Sequence, residues 1–184
     1  MQPGFASPVP DSQACFRAVL DAMARPGQVH RVTSVTEAPP GLDTAAAAVL
    51  LTLADADTPV QIDGAAAAWL AFHCGAPTTT AGDASFAVLR GAFDPAAYHA
   101  GTDDAPEDGA TVLLQIAALG RGTAYTLAGP GLAVPATLWA EGLPPGFAAA
   151  WAANAARFPR GVDIILCAGD QLAALPRTVR ITEA

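Results

Sequence analysis

The sequence contains no lysine: its Lys+Arg total of 9 is arginine throughout, at positions 17, 25, 31, 90, 121, 157, 160, 177 and 180. Without an ε-amino group the chain cannot form a Schiff base with pyridoxal phosphate or a carbonyl substrate. It also cannot build the Gly-Lys-Ser/Thr of a phosphate-binding loop or perform lysine-dependent kinase and ligase chemistry. Long apolar runs are lacking too: the richest, Ala45 to Ala54, falls well short of the ~20 residues that cross a bilayer, so no membrane association is expected. The opening residues Met1-Gln2-Pro3-Gly4 show no basic segment followed by an apolar one, and the expected compartment is therefore the cytoplasm. Cysteine is sparse: Cys15, Cys74 and Cys167 are far apart, with no C-x-x-C. That spacing gives no support to a cysteine-held structural zinc and suits small buried thiols in a reducing compartment. Positive charge is sparse as well: nine arginines stand against 17 acidic residues, a net charge of −8. Such a field repels DNA and RNA, so no nucleic-acid partner is expected, although a few converging arginines would still hold a phosphate.

What is present is apolar. Hydrophobic residues make up 52% of the 184 positions and mean hydropathy is +0.35, values that exclude disorder as the main state and suit one domain over residues 1–184. The spacing predicts a helix over Asp11 to Ala24, capped by Asp11, with Cys15, Phe16, Val19, Leu20 and Met23 on one face and Arg17–Asp21 as a surface pair. Pro26-Gly27 stops it. A strand is expected over Val29 to Val35, a helix over Thr44 to Ala54 behind Asp43 or Thr44, a short strand over Pro59 to Ile62, and a helix over Ala65 to His73. Phe86 to Leu89 reads as a strand, Pro95 to Ala100 as a short helix, and the acidic segment Gly101 to Gly109 as a loop. Val112 to Ala117 and Ala124 to Ala128 read as a hairpin around Gly120-Arg121-Gly122. Pro145 to Phe158 reads as a helix with a stripe of Phe147, Trp151, Ala155 and Phe158. Val162 to Cys167 is a buried-type strand, paired with Leu172 to Leu175 through Gly169-Asp170. This mixture predicts a layered α/β fold.

No G-x-S-x-G, H-E-x-x-H or G-x-G-x-x-G occurs. Asp55-Ala56-Asp57 offers two carboxylates to a divalent cation, or else shapes the turn before Pro59, which is the commoner role. Asp103, Asp104, Glu107 and Asp108 lack the glycine and the closing glutamate of a calcium loop and read as a solvated surface. His73 and Cys74 are the types of a nucleophile pair, but neighbours on a helix diverge by ~100°, and a helix-terminal histidine favoured by the dipole is the plainer reading. The glycines of Gly120-Arg121-Gly122-Thr123 and Gly129-Pro130-Gly131 either expose amides to a phosphate or simply turn the chain. If Arg25, Arg121, Arg160 and Arg177 face one cleft, they suit a polyphosphate or phosphonate anion.

The order of short segments carries more. Gly4-Phe5, Pro8-Val9, Gln13, Phe16-Arg17 and Ala22-Met23-Ala24-Arg25-Pro26-Gly27 resemble the N-terminal signature of the PhnH family of carbon–phosphorus lyase subunits. The resemblance continues through Leu51 to Val60, Phe72-His73-Cys74-Gly75-Ala76-Pro77 and Gly109-Ala110-Thr111. It closes with Phe158-Pro159-Arg160-Gly161-Val162-Asp163 and Leu175-Pro176-Arg177-Thr178, so it spans nearly the whole chain. Cys74 stands where the family is expected to carry a small hydroxyl residue.

The resemblance implies a three-layer α/β sandwich with a mixed sheet, a reduced version of the pyridoxal-phosphate-dependent transferase fold that binds no such cofactor. It implies a role in phosphonate breakdown, in which PhnH-like proteins act with partner subunits G, I and L to displace adenine from MgATP by methylphosphonate. The product is ribose 1-methylphosphonate 5-triphosphate. It implies a larger assembly with G, I and J, and a homodimer in isolation. It supplies no catalytic residue, and MgATP enters only through the complex. Two other readings stand beside it. One is a nucleotide–magnesium cleft built on Arg25, Asp55, Asp57 and Arg177, with His73, Arg121 and Arg160 as further ligand candidates. The other is a ligand-free structural dimer, with Phe147 and Trp151 in the core and Trp69 or Trp139 at the interface.

Overall fold

The computed structural model describes residues 3–33 and 35–183. Its centre is a six-stranded sheet in the order β1-β8-β7-β4-β3-β2, formed by β1 (His30–Arg31), β2 (Val60–Gln61), β3 (Phe86–Arg90), β4 (Thr111–Gln115), β7 (Asp163–Ala168) and β8 (Gln171–Leu175). Strands β2, β3, β4 and β7 run parallel, while β8 pairs antiparallel with both β7 and β1, so the sheet is mixed. The apolar runs Thr111–Gln115 and Asp163–Ala168 suit strands buried on both faces. Their alternate residues divide between two cores. Leu113, Ile165, Cys167, Leu172 and Ala174 meet the helices α1 (Pro8–Ala24), α2 (Thr44–Leu53) and α3 (Gly64–Cys74). Val112, Leu114, Ile164, Leu166, Ala173 and Leu175 meet α4 (Phe147–Ala155) and a three-stranded sheet, β6-β5-β9. That small sheet comprises β5 (Ala118–Ala128), β6 (Ala136–Glu141) and β9 (Arg180–Glu183). Three layers result, as expected.

Several expectations need correction. The first helix starts at Pro8, because prolines in a first turn give up no hydrogen bond the helix would have made. Asp11 lies inside it, and its carboxylate accepts the Ser7 N–H at 2.7 Å. Asp21 pairs with Arg25 rather than Arg17. On this helix Cys15 and Val19 are buried, but Phe16 and Leu20 are 50% and 57% exposed. The strand expected over Val29 to Val35 is reduced to His30–Arg31, with Ser34 outside the described residues. The hairpin over Val112 to Ala128 does not form. Strand β4 is apolar on both faces and is taken up between β3 and β7, whereas β5 turns into the other sheet and pairs with β6 and β9. Gly120-Arg121-Gly122 is consequently a bulge inside β5, where the register with β6 slips between Leu119 and Thr123. The last helix ends at Ala155, and Phe158 lies outside it, 66% exposed. Pro95–Ala97 is a single 3-10 turn, capped by Asp94 accepting from the Ala96 N–H. Trp69 is buried in the helical core rather than placed for an interface, while Trp139 is half exposed. The Gly169-Asp170 connection between β7 and β8 is as expected.

Candidate functional site

Two groups of side chains stand at the edge of the large sheet where its parallel strands begin. The first follows from the register of β7 with β8, in which Ile164 faces Leu175, so that Asp163 and Arg177 emerge side by side. Asp163 Oδ1 accepts the backbone N–H of Arg177 at 2.7 Å, and Arg177 Nη2 donates to Asp163 Oδ2 at 2.6 Å. Arg177 Nε reaches both carboxylate oxygens at 3.3 and 3.2 Å, and Nη1 donates to the Pro106 carbonyl. The two side chains are only 12% and 14% exposed. Around them the Asn154 side chain bonds both the N–H and the C=O of Val162 at 2.9 Å, and the Gly161 N–H donates to Ala100 O at 2.8 Å. A Cβ at Gly109 would collide with the Gly161 carbonyl and come within 2.9 Å of Arg177 Nη1. The segments at 109–111, 158–163 and 175–178 therefore form one clasp. Arg177 also lines a cavity of about 340 Å³, with Gly129, Pro130, Ala155, Phe158, Thr178 and Arg180.

The second group lies where α2 and α3 end. Asp55 Oδ1 accepts the Thr58 hydroxyl at 2.6 Å and the Asp57 N–H at 3.0 Å. These bonds, the Thr58 hydroxyl first, hold the Asp55 carboxyl below its ordinary range. His73 packs its ring against Trp69 and Phe72, at centroid distances of 4.7 and 5.0 Å. Its Nε2 is buried with no hydrogen-bond partner among the described residues, and desolvation lowers its pKa from 6.5. A Cβ at Gly4 would lie 3.4 Å from His73 Nδ1 and 2.9 Å from Leu51 Cδ1. Gly75 ends α3 in the left-handed region, φ +71, against Ala56. Cys74 Sγ contacts the Leu50 carbonyl at 3.9 Å, and burial, then the Asp55 charge, push its thiol up.

Sequence reading thus paired some candidates and scattered others. Asp55, Asp57, His73 and Cys74 share a corner, but Asp55 is spent on its turn and Cys74 turns to a carbonyl, so no nucleophile pair forms. Among the described residues, no three His, Cys, Asp or Glu side chains gather to hold a metal. The cleft of Arg25, Asp55, Asp57 and Arg177 does not form. Strand β2, which follows Asp57, and β8, which precedes Arg177, are four strand positions apart, roughly 19 Å. Arg25, Arg121 and Arg160 each meet a carboxylate of their own, on Asp21 at 3.0 Å, Glu141 at 3.1 Å and Asp103 at 3.1 Å. Arg121 also stands seven residues along β5 from Ala128, the partner of Arg180, roughly 23 Å of strand away.

Sequence reading missed a buried polar cluster at the opposite, carboxyl edge of the parallel strands. Gln115, 4% exposed, accepts the Asp43 N–H at 2.6 Å and donates to Gly41 O at 3.0 Å, and Asp43 pairs with Arg90 at 2.9 Å. Its signal was a glutamine closing the apolar run Thr111–Gln115. All three cysteines are free, with Cys15 and Cys167 buried, and burial drives the Cys167 thiol far up.

Comparison with known proteins identifies the family. The family model for "Bacterial phosphonate metabolism protein (PhnH)" matches residues 3–182. The chain is 38% identical to the "Alpha-D-ribose 1-methylphosphonate 5-triphosphate synthase subunit PhnH" of Rhizobium meliloti (strain 1021), over 96% of its own length and 93% of the relative's. It is 31% identical to HtxG of Stutzerimonas stutzeri, whose name places it provisionally among C-P lyase subunits, over 94% of its own length and 86% of that protein's. The clasp and the histidine corner are built from the segments that carried the resemblance, and the chain belongs to the PhnH family of bacterial phosphonate metabolism proteins.

Proposed function

We propose that this chain is a non-autonomous subunit of the carbon–phosphorus lyase system in organic phosphonate catabolism. With subunits G, I and L it supports formation of ribose 1-methylphosphonate 5-triphosphate from MgATP and methylphosphonate. The match over nearly the full length of a synthase subunit carries the reading. The surface supports it. Val9, Phe16 and Leu20 follow helical spacing on the outer side of α1 and are all exposed, and apolar stripes of this kind are what subunit contacts bury. The clasp supports it too, because its arginine is neutralised by Asp163, and among the described residues His73 Nε2 has no hydrogen-bond partner.

In this reading MgATP is a substrate of the assembled complex, residues 1–184 act as one domain, and the fold is a reduced pyridoxal-phosphate-transferase fold used without the cofactor. Subunits G, I and J are its partners in the larger assembly, the free chain is a homodimer, and the compartment is the cytoplasm. The reading is tested by tagging the chain in its native host and identifying co-purified subunits by mass spectrometry. Recovery of G, I, J or L in stoichiometric amounts is expected, and recovery of the chain alone contradicts it.

A further inference from the structure

We propose that the cavity between the end of α4, the Gly129-Pro130-Gly131 turn and the start of β9 binds an organic oxyanion. The anionic head, a phosphonate, phosphate ester or carboxylate, sits on Arg180, and a flat or apolar body lies against Phe158. The cavity's volume, about 340 Å³, lies within the range of small-molecule sites, roughly 300–1,000 Å³.

Its walls define the ligand. Arg180 sits at the start of the edge strand β9, exposed, and no carboxylate of the described residues lies within 4.0 Å of it. Arg177 beside it is saturated by Asp163 and Pro106 and offers a neutral wall. One guanidinium therefore remains to take a charge, and the exposed Thr178 lines the same cavity. Phe158 lines the same cavity with two thirds of its surface in solvent, an exposure that an apolar or stacking ligand relieves. Pro130 and Ala155 add apolar surface. The net charge of −8 repels anions at a distance, so a bare inorganic ion gains less here than one carrying an apolar body.

The inference stands on the cavity and goes beyond the subunit role, so failure to reconstitute the complex leaves it untouched. Phenylphosphonate, benzoate and inorganic phosphate are titrated into the purified full chain by calorimetry and ligand-observed NMR. Phenylphosphonate or benzoate is expected to bind with Kd of about 1–10 mM, as its atom count allows, and inorganic phosphate at least about tenfold more weakly. Tighter binding of phenylphosphonate assigns a phospho head, and tighter binding of benzoate assigns a carboxylate. Arg180→Gln and Phe158→Ala, both at solvent-facing positions, each weaken binding about tenfold, while Arg31→Gln, on the other sheet, leaves it unchanged. Melting curves confirm that the variants fold. Absence of binding by both aromatic ligands at about 20 mM overturns the proposal, as does affinity unchanged in Arg180→Gln and Phe158→Ala.

Discussion

At the Asp163–Arg177 clasp the guanidinium and carboxylate meet through several hydrogen bonds in a nearly dry setting, and three chain segments close over them. At the His73 corner, roughly 19 Å along the same sheet edge, the imidazole Nε2 is buried among rings with no partner among the described residues, while Asp55 faces solvent and serves its own turn. Both regions come from segments that carried the resemblance to the family, yet one spends its charge on structure and the other leaves a titratable group uncommitted. Shared segments in this chain therefore mark packing as much as chemistry.

The comparison is tested first at the clasp, where the largest effect is expected. Arg177→Leu leaves the Asp163 charge buried and unpaired, and urea unfolding at pH 7 should show a loss of about 3–5 kcal/mol. The double variant Asp163→Leu/Arg177→Leu should lose clearly less, because no buried charge is then stranded. Asn154→Leu, which orphans the N–H and the C=O of Val162, should cost about 2–3 kcal/mol in the same assay.

The His73 corner should answer to pH instead. Its folded pKa lies below the 6.5 of the unfolded chain, so the unfolded state binds the extra proton. The corresponding stability is complete above about 6.5 and is lost as pH falls from there toward the folded pKa. Unfolding measured between pH 8 and about 5 should show this slope, and His73→Phe should remove it, whereas an unchanged slope would assign it to other groups. Asp55→Asn should matter less: the depressed Asp55 pKa contributes stability above its unfolded value of 3.8 that fades only in acid. The smallest effects belong to the solvated ion pairs: Arg121→Gln and Arg160→Gln should each change stability by less than about 0.5 kcal/mol.

The central strands were legible because Thr111–Gln115 and Asp163–Ala168 are apolar at nearly every position, as burial on both faces requires. Helices α2 and α3 were legible from alanine-rich runs bounded by Asp43 and by Gly75. The second sheet was not. Strands β6 and β9 are short and half polar, and the glycines at 120 and 122 imitate a turn although they serve a bulge. Of the candidate site, Arg177 was singled out among the arginines that could hold a phosphate, whereas Arg180 and Phe158 were not read as ligand-binding. A lone arginine on an edge strand has no pattern, and Phe158 matched a helical stripe that the chain leaves after Ala155. The four arginines looked like a cluster only because sequence cannot show that Asp21, Asp103, Glu141 and Asp163 each claim one.

The most direct test of the whole account is adenine release from MgATP and methylphosphonate by purified subunits G, I and L, with and without this chain. Release is expected only when the chain is added, and the chain alone is expected to release none. Equal release in its absence, or turnover by the isolated chain, would contradict its role as a supporting subunit.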